Sequence, residues 1–183
     1  MAWGLKKPIK DYLEKFATGD LYENGALNLR KLSEKIGIKG IILAEFYTDQ
    51  ISGLLRKEKD GWKIYVNETD SPSRRRFTIA HEIGHYISYI NDSYSKPYFD
   101  KNGEISDLAL QRRNGMTGSV EAEANTIAAD LLMSKKDIER MVNENKTIEE
   151  MAEYFQVSET AMSVRLEDMG IIPFESYGRQ GKK

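Results

Sequence analysis

The only two histidines in the chain, His81 and His85, lie four residues apart in a stretch with the pattern of a helix. Ser71 and Pro72 are expected to begin this helix, because serine caps the first N–H groups and proline suits the first turn. Residues four apart share a helix face about 6 Å along the axis, so both imidazoles can reach one metal ion. Glu82 is placed to touch a water on that ion. The alternative is an ordinary amphipathic helix in which this spacing has no metal function.

Length and composition restrict the kind of protein. A chain of 183 residues suits one domain, or one domain with a small appendage. A formal charge of −2 provides no overall attraction to nucleic acid or to an anionic membrane. The absence of cysteine excludes disulfides and cysteine-based zinc sites. No segment has the pattern of a signal peptide or the ~18 apolar residues of a transmembrane helix, so we expect a cytoplasmic protein without membrane contact.

Hydrophobic periodicity predicts an α+β fold. Extended runs at residues 41–47, 51–55 and 62–67, with a Lys59-Asp60-Gly61 turn between the last two, predict a small antiparallel β-sheet packed on a helical core. Helical patterns cover residues 8–16, 29–36, 71–87, 120–133, 138–143, 147–155 and 158–169. We divide the chain into a main domain of residues 1–133, a helical subdomain of residues 134–172 that resembles a helix-turn-helix, and a flexible tail of residues 173–183.

The third metal ligand must be a carboxylate, because a catalytic zinc site needs three protein ligands and the chain has no further histidine or cysteine. The candidates lie after the histidine helix and in the next helix: Asp92, Asp100, Glu104, Asp107, Glu121, Glu123 and Asp130. We choose Glu121, which starts an alanine-rich helix able to pack closely. Asn125, one turn later on the same face, can hydrogen-bond a ligand histidine. Glu123 points about 200° away from Glu121 around the helix, so both cannot face the metal. The residues alone indicate more firmly that this helix supplies the ligand than which of the two glutamates it is.

Three segments together resemble the ImmA/IrrE family of zinc metallopeptidases. They are R-x-R-F from Arg74 to Phe77, H-E-x-x-H from His81 to His85, and E-x-E-A-N-x-x-A-A-x-L-L-M from Glu121 to Met133. The similarity covers most of residues 27–172. It implies a gluzincin-like domain within residues 1–133, of which 27–133 match the family, with Zn²⁺ held by His81, His85 and Glu121 and with Glu82 as catalytic base. Ser134 replaces the usual proline and Ile127 the usual phenylalanine, which we interpret as packing changes.

The resemblance implies a zinc metalloendopeptidase that cleaves a helix-turn-helix repressor or antitoxin-like protein. Such cleavage would relieve repression in a mobile-element, phage or stress response. In this mechanism zinc lowers the pKa of water from about 15.7 toward about 7, and Glu82 takes its proton. The candidate oxyanion or substrate contacts are Tyr86, Arg76, Tyr94 and Tyr98, among which the sequence does not choose.

Two other classes of function are considered. Residues 147–170 have the pattern of a helix-turn-helix, which can enter a DNA groove. The second helix, however, carries Glu159, Glu167 and Asp168 against Arg165, an unfavourable balance beside phosphates. We therefore do not expect DNA binding, and expect this pair to pack on the main domain or to recognise a protein partner. The last alternative is a zinc-dependent regulator that binds its target without cutting it.

Overall fold

The computed structural model describes residues 5–47, 51–91, 104–105 and 117–172. The helices are α1 Lys7–Phe16, α2 Leu29–Ile36, α3 Pro72–Ile90, α4 Thr117–Leu132, α5 Lys135–Asn143, α6 Ile148–Phe155 and α7 Glu159–Asp168, with a 3₁₀ turn at Gly19–Leu21. The strands are β1 Tyr22–Glu23, β2 Ala26–Leu27, β3 Ile38–Ala44, β4 Gly53–Glu58, β5 Gly61–Asn67 and β6 Glu104–Ile105. This content confirms the predicted α+β class.

The main sheet has four strands in the order β3-β5-β4-β6. Strands β4 and β5 form the expected antiparallel hairpin, closed where Glu58 faces Gly61, and β6 is antiparallel to β4. Strand β3 instead runs parallel to β5, so the sheet is mixed where antiparallel pairing was expected. The reason is the order of the strands. Strand β4 runs opposite to β3, and β5 turns back from β4, so β5 runs in the same direction as β3. Because β5 and not β4 lies beside β3, these two neighbours are parallel. The strands predicted at 41–47 and 51–55 are also displaced, since β3 begins at residue 38 and β4 ends at residue 58.

Side-chain caps begin the helices where we expected them. The Ser71 hydroxyl accepts a hydrogen bond from the Arg74 N–H at 3.3 Å, and Pro72 occupies the first helical turn of α3. Thr147 and Glu150 form the capping box of α6. Such caps satisfy backbone N–H groups that a helix leaves without partners, which is why these boundaries can be predicted from local sequence.

The two central helices, α3 and α4, pack antiparallel and very close together. A Cβ atom at Gly84 of α3 would lie only 2.8 Å from the carbonyl oxygen of Ala124 in α4. Small residues on facing helices permit such a close approach of backbones. This contact brings the polar side chains on the facing sides of α3 and α4 within reach of each other.

The C-terminal helices share the hydrophobic core of the rest of the chain. Phe155 of α6 and Met162 and Leu166 of α7 are buried in the same cluster as the sheet and α3. Two arginines link these helices to α3 and α4. Arg76 of α3 donates to the carbonyl oxygen of Phe155 at 3.3 Å, and Arg165 of α7 pairs with Asp130 of α4. Packing on the main domain was one of the two expectations for the helix-turn-helix-like pair, and it is confirmed.

The proposed division of the chain at residues 133 and 172 stays a prediction, and residues 173–183 lie outside the described part. None of the helices in the described part of the chain combines the length and the apolar character of a membrane-spanning segment.

Candidate metal centre

His81, His85 and Glu121 form one compact group between α3 and α4. The Nε2 atom of His81 lies 3.1 Å from Oε2 of Glu121, and the Nε2 atom of His85 lies 3.4 Å from Oε1 of the same carboxylate. Each of the three residues offers one ligand atom, and these atoms all lie within 4.8 Å of one another. Local helical geometry accounts for the histidine pair, whereas the α3–α4 contact supplies the glutamate.

The donor atoms of this group fit a metal ion. Both imidazole nitrogens face the Glu121 carboxylate, one at 3.1 Å from Oε2 and the other at 3.4 Å from Oε1. One ligand atom from each residue lies within 4.8 Å of the other two, which is close enough for all three to hold one ion. Two imidazoles and one carboxylate are also the ligands of zinc sites that keep a fourth position for water or substrate. The residues present therefore fit a catalytic divalent metal.

Asn125 orients one of the histidines. The Nδ1 atom of His81 lies 2.9 Å from the amide oxygen of Asn125. Because an amide oxygen only accepts, the ring nitrogen Nδ1 must carry the proton in this bond. Nε2, on the other side of the ring, is then the atom that faces Glu121 and the metal position. A partner of this kind fixes the tautomer and ring orientation of a metal-binding histidine.

Electrostatics keep the Glu121 carboxyl ionised. Burial alone would raise its pKa, but His81 and His85, when both rings are protonated and no ion is bound, outweigh burial and hold the pKa of Glu121 well below its usual range. An ionised carboxylate is the form that binds a metal ion. The structure thus brings together the three residues predicted as ligands.

The other carboxylate candidates are placed elsewhere or are not described. Glu123 lies 3.6 Å from Lys6 Nζ, consistent with its position on a different face of α4 from Glu121. Asp130 pairs with Arg165. Asp92, Asp100 and Asp107 lie outside the described residues, and only the backbone of Glu104 is described, as part of β6. Among the described side chains, Glu121 is therefore the carboxylate that meets both histidines.

Glu82, the expected base, is buried between α3 and β4. Its side chain is only 2% exposed. A Cβ atom at Gly53 of β4 would lie 3.0 Å from Oε1 and 3.4 Å from Cγ of Glu82, and it would overlap the Thr78 side chain. We missed Gly53 as a residue of this site, although a glycine inside a predicted strand is a known sign of close backbone or side-chain approach.

Two of the four candidate oxyanion contacts have other roles. The Tyr86 hydroxyl donates to the carbonyl oxygen of Ile36 at 3.0 Å, and its ring packs in the core, where burial raises its pKa. The Arg76 guanidinium donates to the carbonyl oxygens of Leu27 at 2.8 Å and Phe155 at 3.3 Å. Both choices rested on chemistry alone and stay predictions, and in the structure both side chains donate to backbone carbonyls of other elements. Tyr94 and Tyr98 lie outside the described residues.

The site combines two histidines one helical turn apart with a glutamate from the neighbouring helix. A second glutamate follows the first histidine directly. This combination defines a metallopeptidase-like domain. The family model of the IrrE N-terminal-like domain, a peptidase family, matches residues 38–167. The chain belongs to this family, which confirms the resemblance seen in the sequence. No curated protein sequence matches the chain.

A solved structure has the same fold. It is described as a Mycobacterium tuberculosis transcriptional regulator and superposes with a TM-score of 0.58 at 17% sequence identity, over 88% of this chain and 47% of its own. The chain therefore spans about half the length of that regulator. At this level of identity the likeness shows the fold alone.

Proposed function

We propose that this protein is a zinc metalloendopeptidase that cleaves a cytoplasmic helix-turn-helix repressor or antitoxin-like protein, thereby relieving repression in a mobile-element, phage or stress response. The observation that carries the enzymatic part is the joint placement of His81, His85 and Glu121 in one group, with Glu82 next to the first histidine. The choice of partner rests on the family to which the chain belongs.

Each residue of the site has its own role in peptide hydrolysis. His81, His85 and Glu121 would hold the ion, which when bound supplies Lewis acidity that polarises a carbonyl and makes water nucleophilic near neutral pH. Glu82 takes the proton of the attacking water and passes it to the leaving amine. Asn125 keeps His81 in the tautomer that presents Nε2. Glu82 is only 2% exposed, which limits exchange of its proton with bulk water.

Mass spectrometry of a purified helix-turn-helix repressor, incubated with the zinc-loaded protein, tests this proposal. We expect defined fragments with the wild type. Glu82→Gln should keep zinc but cut about 10²–10⁴-fold more slowly, because a general base contributes that much to the rate. His81→Ala should lose both zinc and cleavage. Glu123→Gln is the matched control, since this carboxylate lies on another face of α4 beside Lys6. Cleavage by Glu82→Gln at the wild-type rate would contradict the mechanism.

A regulator that binds its target without cutting it is the second candidate. The observation that favours it is the description of the similar Mycobacterium tuberculosis protein as a transcriptional regulator. The same mass spectrometry separates the two candidates, because a regulator would leave its partner intact in a zinc-dependent complex. DNA binding has less support, because Arg165, the basic residue of α7, pairs with Asp130 and leaves that helix with an acidic surface.

A further inference from the structure

A groove of about 1000 Å³ lies next to the metal group, between the start of α3, the outer face of α4 and α7. We call it the α4–α7 groove. Asn125, whose amide oxygen accepts a hydrogen bond from His81, lines its wall. A peptide segment lying in this groove would therefore extend directly toward the residues that we assign to hydrolysis.

The lining of the α4–α7 groove is small and apolar along facing helices. Ala129 of α4 and Ala161 of α7 both line it, and so does Val164, which is 50% exposed. Phe77 and Met133 add further apolar surface. Alanines on two neighbouring helices leave room for larger side chains from outside, which is the shape that binds the apolar face of an amphipathic helix.

The free charges of the α4–α7 groove are negative. Its two arginines already have partners: Arg165 is 11% exposed and paired with Asp130, and Arg74 lies 3.3 Å from Asp70 and 2.7 Å from the Ser52 hydroxyl. Glu167 and Asp168 also line the groove, and no ion pair joins either of them to another described residue. A ligand that complements this groove must carry positive charge beside its apolar face.

We propose that the α4–α7 groove docks a basic amphipathic helix of the protein partner. Apolar side chains of that helix pack against Val164, Ala161 and Ala129, while its lysines or arginines meet Glu167 and Asp168. This proposal rests on the proposed function for the identity of the partner as a substrate, and it assigns that substrate a basic amphipathic helix. The docking itself requires neither cleavage nor zinc, so it can be measured separately.

Fluorescence anisotropy tests the docking with two labelled peptides, an 18-residue amphipathic helix of leucine and lysine and its counterpart of leucine and glutamate. The protein carries Glu82→Gln, so that no peptide is cut. We expect the lysine peptide to bind and the glutamate peptide not to bind. Glu167→Lys with Asp168→Lys should weaken binding of the lysine peptide at least about tenfold, as the loss of two close charge pairs predicts, and Val164→Asp should weaken it similarly.

The matched control carries Glu149→Lys with Glu153→Lys. It makes the same charge change on exposed residues of α6 that do not line the groove. This control should bind the lysine peptide about as well as the parent protein, and thermal unfolding checks that all variants fold. Equal binding of both peptides, equal weakening by the control pair, or failure of the lysine peptide to bind at 100 μM would each overturn the proposal. So would binding of plain duplex DNA at the groove, or a dimer that Val164→Asp dissociates, because each identifies another occupant.

Cleavage of the repressor separates this proposal from the proposed function. If the wild type cuts and the Glu167→Lys, Asp168→Lys variant cuts equally well, the peptidase assignment stands and the groove assignment falls. If the lysine peptide binds as expected but the wild type leaves every repressor intact, the docking stands and the peptidase assignment falls.

Discussion

Replacing Gly53 by alanine is expected to displace the Glu82 carboxylate while leaving the metal ligands in place. Gly53 begins β4, and its missing side chain is the space that the Glu82 carboxylate and Thr78 occupy. The three atoms nearest to the new methyl group belong to Thr78 and Glu82, and none of them belongs to a metal ligand. The substitution therefore separates the position of the base from the binding of the metal.

The size of the effect follows from the contacts of the new methyl group. It would lie 3.0 Å from Oε1 and 3.4 Å from Cγ of Glu82, against about 3.5–4.0 Å for atoms in ordinary contact. It would also overlap Cγ2 of Thr78, a β-branched side chain with few rotamers in a helix. The carboxylate must therefore move by several tenths of an ångström up to about 1 Å, and a misplacement of 1 Å can cost about 10²-fold in rate.

The assay measures kcat and KM for repressor cleavage together with zinc content and thermal stability. We expect kcat of Gly53→Ala to fall about 10²-fold with little change in KM or zinc content, and stability to fall by about 1–3 kcal/mol from overpacking. Adding Thr78→Ser, which removes the overlapping methyl group, should recover a large part of kcat. Gly40→Ala on β3 is the matched control, because nothing lies within 4 Å of its new Cβ atom.

A wild-type kcat in Gly53→Ala would refute the argument that this contact positions Glu82. Loss of zinc in that variant would also refute it, because the metal ligands would then be the residues displaced. If Thr78→Ser restores stability but not kcat, the overlap affects folding alone.

Three further substitutions probe the metal centre. Gly84→Ala places a methyl group 2.8 Å from the backbone oxygen of Ala124, so it should separate α3 from α4. The free energy of unfolding should fall by about 1–3 kcal/mol, measured by thermal melting, and zinc binding should weaken, measured by chelator competition. Asn125→Ala removes the partner of His81 and should lower zinc affinity about 10–100-fold in the same competition; unchanged affinity would exclude the orienting role. Tyr86→Phe should lower stability by about 1 kcal/mol and leave kcat unchanged, whereas a large fall in kcat would restore Tyr86 as an oxyanion contact.

Local sequence predicted the parts of this site that depend on local geometry. The cap at Ser71 and the four-residue spacing of His81 and His85 need only the helical repeat. Glu121 could be predicted from the sequence because its helix had a clear start and because the chain lacks other ligand types. The parallel pairing of β3 with β5 could not be predicted from the sequence, because it depends on which strand of the hairpin lies in the middle of the sheet.

Side-chain direction was harder to predict from the sequence than the position of the helices. Arg76 and Tyr86 stand close to His81 in sequence and have suitable chemistry, yet each donates to a backbone carbonyl of a different element. Buried polar groups require such partners, and the partners, Leu27 and Ile36, are set by the three-dimensional packing. Proximity in sequence to a catalytic motif therefore does not distinguish a catalytic group from one that holds the motif in place.

Helix α4 connects the two parts of the molecule that we assign to function. One face carries Glu121 and Asn125, which meet the histidines, and a later turn carries Asp130, which pairs with Arg165 of α7. Because a helix moves largely as a rigid unit, a substrate helix pressing on the α4–α7 groove acts on the same element that supplies a metal ligand. Zinc affinity should accordingly be higher with the leucine–lysine peptide bound, and by linkage peptide affinity should be higher with zinc by the same factor. Equal zinc affinities with and without saturating peptide would show that α4 holds the two sites without coupling them.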